Sequence, residues 1–145
     1  MIRFIKVEDA LPIRSAVLQK GKDPKLCLNP EDLKPDSFHL GLYDEGNKLQ
    51  CILTVHKTNH PKLPHEGYRL RGMATLPEAR RKGYAKELLS AAIEHIKTQL
   101  KGDYLWCIAR EIAYPFYESM GFEYMSDEFQ YKDAGNHKEM FIPFY

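Results

Sequence analysis

The sequence predicts an α+β fold, a mixed sheet flanked by helices, on three observations. Short runs of alternating or β-branched apolar residues recur along the chain, one long amphipathic helix interrupts them after Gly83, and no internal repeat relates the two halves. The length of 145 residues suits one domain over 1–145. A content of 43% hydrophobic and 28% charged residues belongs to a chain that folds on its own rather than to a disordered one.

Ile2 to Lys6 alternates apolar and charged residues as a first strand does. From Glu8 to Lys20, Leu11, Ile13, Ala16, Val17 and Leu18 fall at loose helical spacing, with Pro12 near the first turn. Gly21 to Asp36 carries three prolines and reads as a connecting loop with one helical turn; its length makes it a candidate substrate-side element. Ser37–Tyr43 and Leu49–Thr58 form a hairpin across Asp44 to Lys48, and Tyr68–Thr75 follows as a strand after the break at His60 to Pro64. Gly83 to Lys101 is the clearest helix, with Leu88, Leu89, Ala92, Ile93, Ile96 and Leu100 on one face and Gly102 as its stop. A strand over Tyr104–Ala109, a short helix over Ile112–Met120 and β-rich stretches at 122–131 and 138–145 complete the order β-α-loop-β-β-β-α-β-α-β-β.

Lysine and arginine number 21 against 20 acidic residues, so no broad basic surface calls for nucleic acid or an anionic membrane. Cys27, Cys51 and Cys107 are odd in number and lack metal-ligand spacing, which predicts reduced thiols, no metal site and a cytoplasmic setting. Met1 to Ala10 has no apolar core of a secretion signal, and no apolar run is long enough to span a bilayer.

The chemistry concentrates in Met73 to Lys86, where a strand passes through a basic turn into the long helix. The first N–H groups of a helix lack intrahelical partners and the macrodipole is positive there, so an anion is favoured at that end. Gly83 and Ala85 leave room for its approach, and Arg80, Arg81, Lys82 and Lys86 add charge. As a mere solvated charge run, three cations at the positive end of a helix dipole would be unfavourable. Neither G-x-x-x-x-G-K-[ST] nor G-x-G-x-x-G occurs, which excludes the usual nucleotide loops.

Arg80-Arg81-Lys82-Gly83-Tyr84-Ala85 resembles the R/Q-x-x-G-x-G/A motif of the GNAT superfamily of acyl-CoA-dependent N-acetyltransferases, which binds the pyrophosphate of acetyl-CoA. Downstream, Ala113, Phe116, Tyr117, Gly121 and Phe122 resemble that family's A-x-x-F-Y-x-x-x-G-F segment. The likeness is close over Tyr68 to Phe122, and the runs Trp106 to Arg110 and His137 to Met140 resemble uncharacterised bacterial members. Two departures stand out: Ala85 replaces the second glycine, and Ile108 stands where relatives often carry a polar residue.

The resemblance implies a mixed, mostly antiparallel central sheet splayed between its fourth and fifth strands, with acetyl-CoA as co-substrate in the gap. Backbone groups of Met73, Ala74 and Thr75 would hold the pantetheine arm and polarise the thioester, and Arg80 to Lys86, Tyr84 included, would hold the phosphates. Tyr117 is the implied general acid toward the CoA thiolate, although an aromatic at that spacing also suits simple core packing.

An amine of pKa about 10 must lose a proton before attack, and Glu66, His39, His137 or a water chain are the candidate bases. Arg71 and Arg110 either orient an acidic substrate or make surface ion pairs. The expected partner is a small-molecule or peptide amine, with no nucleic acid and no membrane; a homodimer is among the open arrangements. A GNAT-like module that binds acyl-CoA or a protein without efficient turnover is the alternative.

Overall fold

A computed structural model describes residues 1–145. Its strands are β1 (Ile2–Phe4), β2 (Phe38–Tyr43), β3 (Leu49–Lys57), β4 (Gly67–Thr75), β5 (Tyr104–Arg110), β6 (Glu123–Tyr124), β7 (Phe129–Gln130) and β8 (Asn136–Pro143). The helices are α1 (Val7–Ile13), α2 (Tyr84–Thr98) and α3 (Tyr114–Ser119). All strands join one eight-stranded sheet in the order β1-β2-β3-β4-β5-β8-β6, with β7 also on β8. Every pairing is antiparallel except β4 with β5. This is the expected mixed, mostly antiparallel sheet flanked by helices.

The parallel β4–β5 pairing runs only from Gly67↔Tyr104 to Arg69↔Trp106, so the two strands part beyond Arg69 and open a V in the sheet. Its closed end is packed tightly: a Cβ on Gly67 would lie 2.2 Å from the Tyr104 ring, and the Tyr104 hydroxyl accepts the His60 N–H at 2.8 Å. β4 is further bent by a bulge. Ala74 faces Ile52 while Arg71 faces Thr54, which leaves Gly72 and Met73 opposite Leu53, and Gly72 takes a φ of 60°. A side chain there would also come within 3.0 Å of Arg14 Nε.

Alternation sends Leu40, Leu42, Leu53, Val55, Leu105 and Met140 to one face, where they bury the apolar stripe of α2. On the other face α1 lays Ala10 and Ile13 onto Ile52 and Ala74. α1 is shorter than the predicted helix and continues as a π-helical turn over Arg14–Leu18. α2 likewise ends at Thr98, short of the predicted Lys101. Lys101 takes the left-handed conformation, and Gly102 is required because a Cβ would meet Ile96 and Tyr68 at 2.6 and 2.7 Å.

The polar part of the second face is held by one buried cluster. The Arg14 guanidinium donates to Asp32 Oδ2 at 2.7 Å, to the Cys27 carbonyl at 3.0 Å and to Thr54 Oγ1 at 2.7 Å. Thr54 and His39 Nδ1 lie 2.7 Å apart, and His39 Nε2 donates to the Asp32 carbonyl at 3.3 Å. His56 Nε2 donates to Asp32 Oδ1 at 2.8 Å and the Asn29 N–H to Oδ2 at 2.8 Å. Burial alone would raise the Asp32 carboxyl, but the bonds from His56, Arg14 and Asn29 outweigh it and hold it far below the usual carboxylate range. The connection predicted over 21–36 is thereby pinned, with two 3₁₀ turns, Pro24–Cys27 and Pro30–Leu33, in place of one helical turn.

The C-terminal part also differs in detail. β8 starts at Asn136, and the predicted strand over 122–131 is two short pieces. Between them Ser126 Oγ accepts the Glu139 N–H at 2.9 Å, and the register on β8 shifts from β6 to β7. Cys27, Cys51 and Cys107 are buried and unpaired. No helix is long and apolar enough to cross a membrane, and no group of three His, Cys, Asp or Glu residues is placed to hold a metal ion.

Candidate active site

The V between β4 and β5 opens into a cavity of about 690 Å³ lined by Leu70 to Thr75, Cys107 to Arg110, and Ala113, Phe116 and Tyr117 of the α3 region. Beyond Arg69 the β5-facing edge of β4 has no strand partner, so part of its backbone is left free at the cavity wall. Met73, Ala74 and Thr75 all lie there.

A smaller cavity of about 280 Å³ continues from Thr75, Arg80, Arg81, Ala85 and Phe116 to Gly83, Tyr84 and Lys86. Gly83 is the N-cap of α2 with a φ of 80°, and Arg81 has a φ of 64°. No side chain caps this end, and the first bond back to the cap is Glu87 N–H to Gly83 O at 3.1 Å. The N–H groups of Tyr84, Ala85 and Lys86 therefore precede the helical ladder. A Cβ on Gly83 would meet nothing within 4 Å, so the approach is open. Lys82, predicted with this group, is exposed and lines neither cavity.

Tyr117 lines the main cavity while its ring packs 5.3 Å from Phe116 and 5.2 Å from Phe122. It thus belongs both to the core and to the site, and burial pushes its phenol well above the ordinary value. No Asp, Glu or His lines this cavity.

Glu66 is not brought to the site. It precedes the closed end of the V, is exposed, and its carboxylate sits 2.6 Å from Lys57 Nζ. Strand adjacency was its sole signal, and the strand carries it to the wrong end. His39 is spent as well, both ring nitrogens being bonded within the Asp32 cluster.

A second cavity of about 570 Å³ adjoins the first across Leu18, Leu70, Arg71, Gly72, Ile108 and Arg110. It opens on the α1 face, and Cys27 and Asn29 of the 21–36 connection line it, as do Arg69, Tyr131 and His137. His137 is buried, and its Nδ1 lies 2.9 Å from the Gly135 carbonyl. A nitrogen facing a carbonyl oxygen must carry a proton, and Nε2 makes no hydrogen bond to the protein. Arg69 and Tyr131 were missed in the sequence, although alternation along β4 puts Arg69 on the same face as Arg71.

The Acetyltransferase (GNAT) domain family matches residues 35–124. An uncharacterised N-acetyltransferase of Bacillus subtilis, YitI, is 32% identical over 141 residues, 97% of this chain and 93% of its own. Among solved structures, an acyl-CoA N-acyltransferase from Pseudomonas aeruginosa superposes with a TM-score of 0.77 at 16% identity, over 98% of this chain and 97% of that one. A spermidine N-acetyltransferase from Vibrio cholerae, solved with CoA and spermine, does so with a TM-score of 0.74 at 15% identity, over 99% and 94%. With the splayed sheet, the uncapped basic helix start and the Tyr117 segment in their places, the chain belongs to the GNAT acetyltransferase family.

Proposed function

We propose that the protein transfers an acetyl group from acetyl-CoA to an amine. The observation that carries this reading is the continuity of the two cavities from the uncapped α2 start, along the unpaired β4 edge, to the Tyr117 side chain. Acetyl-CoA supplies an activated thioester carbonyl. Gly83 to Lys86, with Arg80 and Arg81, suit its pyrophosphate; free backbone groups of Met73 to Thr75 suit its amide-bearing arm.

Transfer forms an N–C bond and breaks a C–S bond, so the amine loses one proton and the thiolate gains one. Tyr117 is the hydrogen-bond donor to the departing thiolate in this scheme, and the released thiolate takes its proton from solvent. Its raised pKa keeps the phenol protonated at neutral pH, and against a thiol of ordinary pKa about 8.5 it acts by hydrogen-bonding the departing sulfur as charge develops. With Glu66 and His39 committed elsewhere, His137 Nε2 is the base we assign for the amine proton.

Isothermal titration with acetyl-CoA tests the first part. Saturable binding is expected, weakened about tenfold to a hundredfold by Arg81→Glu, the range of a lost charge-assisted hydrogen bond of about 1.5–3 kcal/mol. Folded protein that binds neither acetyl-CoA nor longer acyl-CoAs would remove the reading.

A further inference from the structure

The second cavity is the part of the molecule whose charge the fold does not explain. Its lining includes Arg14, Lys20, Arg69, Arg71, Arg110 and Lys132 against one carboxylate, Asp133. Arg14 is neutralised by Asp32 at 2.7 Å, and that carboxylate is then fully used by Arg14, His56 and the Asn29 N–H. None of Arg69, Arg71 and Arg110 lies within 4.0 Å of a carboxylate.

Of these three, Arg69 is also held in place. The Arg69 guanidinium carbon lies over the Trp106 ring, 4.9 Å from its centroid, and Trp106 is fixed by its Nε1–H donating to the Thr58 carbonyl at 2.9 Å. One Arg69 amino group donates to the Tyr131 hydroxyl at 3.4 Å, while its Nε is buried with no partner. Arg71 is half-buried on the same face of β4, and its guanidinium makes no hydrogen bond to the protein. Burial lowers its guanidinium pKa, and the Arg69 charge beside it lowers it further. Like charges kept close in a concave, partly desolvated site, with donors unspent, are the arrangement that binds an anion.

The position of the group decides what that anion belongs to. Arg71 and Arg110 line both cavities, so the cationic cluster begins where the Tyr117 cavity ends, on the same side as the free His137 Nε2. We propose that the acceptor is an anionic amine, whose carboxylate or phosphate is clamped by Arg69, Arg71 and Arg110 while its amino group faces the acetyl donor. This rests on the acetyl-transfer reading and adds the acceptor's chemistry to it. A polyamine is the opposite case: its cations would meet an excess of arginine with no carboxylate at the junction. The acceptor class of the Vibrio cholerae structural neighbour therefore does not carry over.

Thiol release from acetyl-CoA, measured across charge-matched acceptors, tests the proposal. The panel pairs α-amino acids with their amides and aminoethyl phosphate with ethanolamine, and includes spermidine. The expected result is a kcat/KM at least about 100-fold higher for an anionic member than for its uncharged match. Whether the carboxylate or the phosphate arm shows it identifies the anion. Arg71→Gln should collapse that ratio, mainly through KM, in a variant whose melting temperature shows it folded. Better turnover of the uncharged amines or of spermidine overturns the proposal. So does a ratio unchanged by Arg71→Gln, or no turnover of any anionic amine by protein that binds acetyl-CoA. Failure to bind acetyl-CoA instead removes the acetyl-transfer reading itself.

Discussion

Arg14 and Arg71 are neighbours with opposite circumstances. Arg71 is the cross-strand partner of Thr54, the same threonine whose hydroxyl accepts from Arg14. Arg14 is 3% exposed and meets a carboxylate, a carbonyl and a hydroxyl, leaving only its Nε unbonded. Arg71 has kept partial exposure and has no partner. One cation ties the 21–36 connection to the sheet; the other faces a cavity. The difference separates a charge that the fold requires from a charge that only a ligand explains.

The largest expected effect lies on the Arg14 side. Asp32→Ala leaves a buried guanidinium, His56 and the Asn29 N–H without their acceptor and should lower unfolding free energy by about 3–5 kcal/mol in urea titrations. A loss under about 1 kcal/mol would mean that the cluster is not what pins the connection. Acid titration reads the same cluster. Asp32 has a folded pKa far below its ordinary 3.8, so its stabilisation is complete above about that pH and is lost as pH falls toward the folded value. His39 is lowered by burial from 6.5, so the unfolded chain takes up its proton first and stability already declines as pH drops below about 6.5. Two successive declines are expected in wild type, and Asp32→Ala should remove the lower one.

Next is Tyr117→Phe, which keeps the ring that packs on Phe116 and Phe122 and removes only the hydroxyl. We expect kcat to fall by at least about 100-fold with acetyl-CoA affinity unchanged, the lower end for a lost hydrogen-bond donor to charge that develops in the transition state. An unchanged kcat would assign Tyr117 to the core alone.

What the sequence made legible follows from distance along the chain. The β4–turn–α2 segment and the Ala113 to Phe122 segment are each contiguous, so residue types at fixed spacing suffice to mark the uncapped basic helix start and the Tyr117 wall. Partners of Arg14, His39 and His56 lie up to 40 residues away, and no local pattern tells that Asp32 will reach all three. Glu66 shows the same limit inside a single strand: closeness to β4 does not say which end of the V the strand carries it to. Arg71, Arg110 and His137 were visible singly, but only the β4–β5–β8 register sets them beside one another, with Arg110 directly across from His137.

Gly72 tests the hinge between the two arginines. Its φ of 60° costs an ordinary side chain about 1–2 kcal/mol, and a Cβ would press on Arg14 Nε at 3.0 Å. Gly72→Ala should therefore cost about 1–2 kcal/mol in stability and also weaken acetyl transfer, since the bulge sets the course of Met73 to Thr75 along the cavity. Lost stability with untouched activity would detach the bulge from the site.

The smallest expected effect is the most discriminating. Arg71→Gln removes a half-buried cation that has no acceptor and lies in the field of Arg69, so nothing in the folded state is orphaned by the change. Repulsion and desolvation are relieved while some packing of the side-chain stem is lost, and these terms oppose one another. Unfolding free energy should therefore stay within about 0.5 kcal/mol of wild type, or rise slightly, as for substitutions that break no buried interaction. A loss of several kcal/mol, comparable with Asp32→Ala, would make Arg71 a second structural arginine. The unpaired charge of the second cavity would then belong to the fold, and the case for an anionic acceptor would lose its footing.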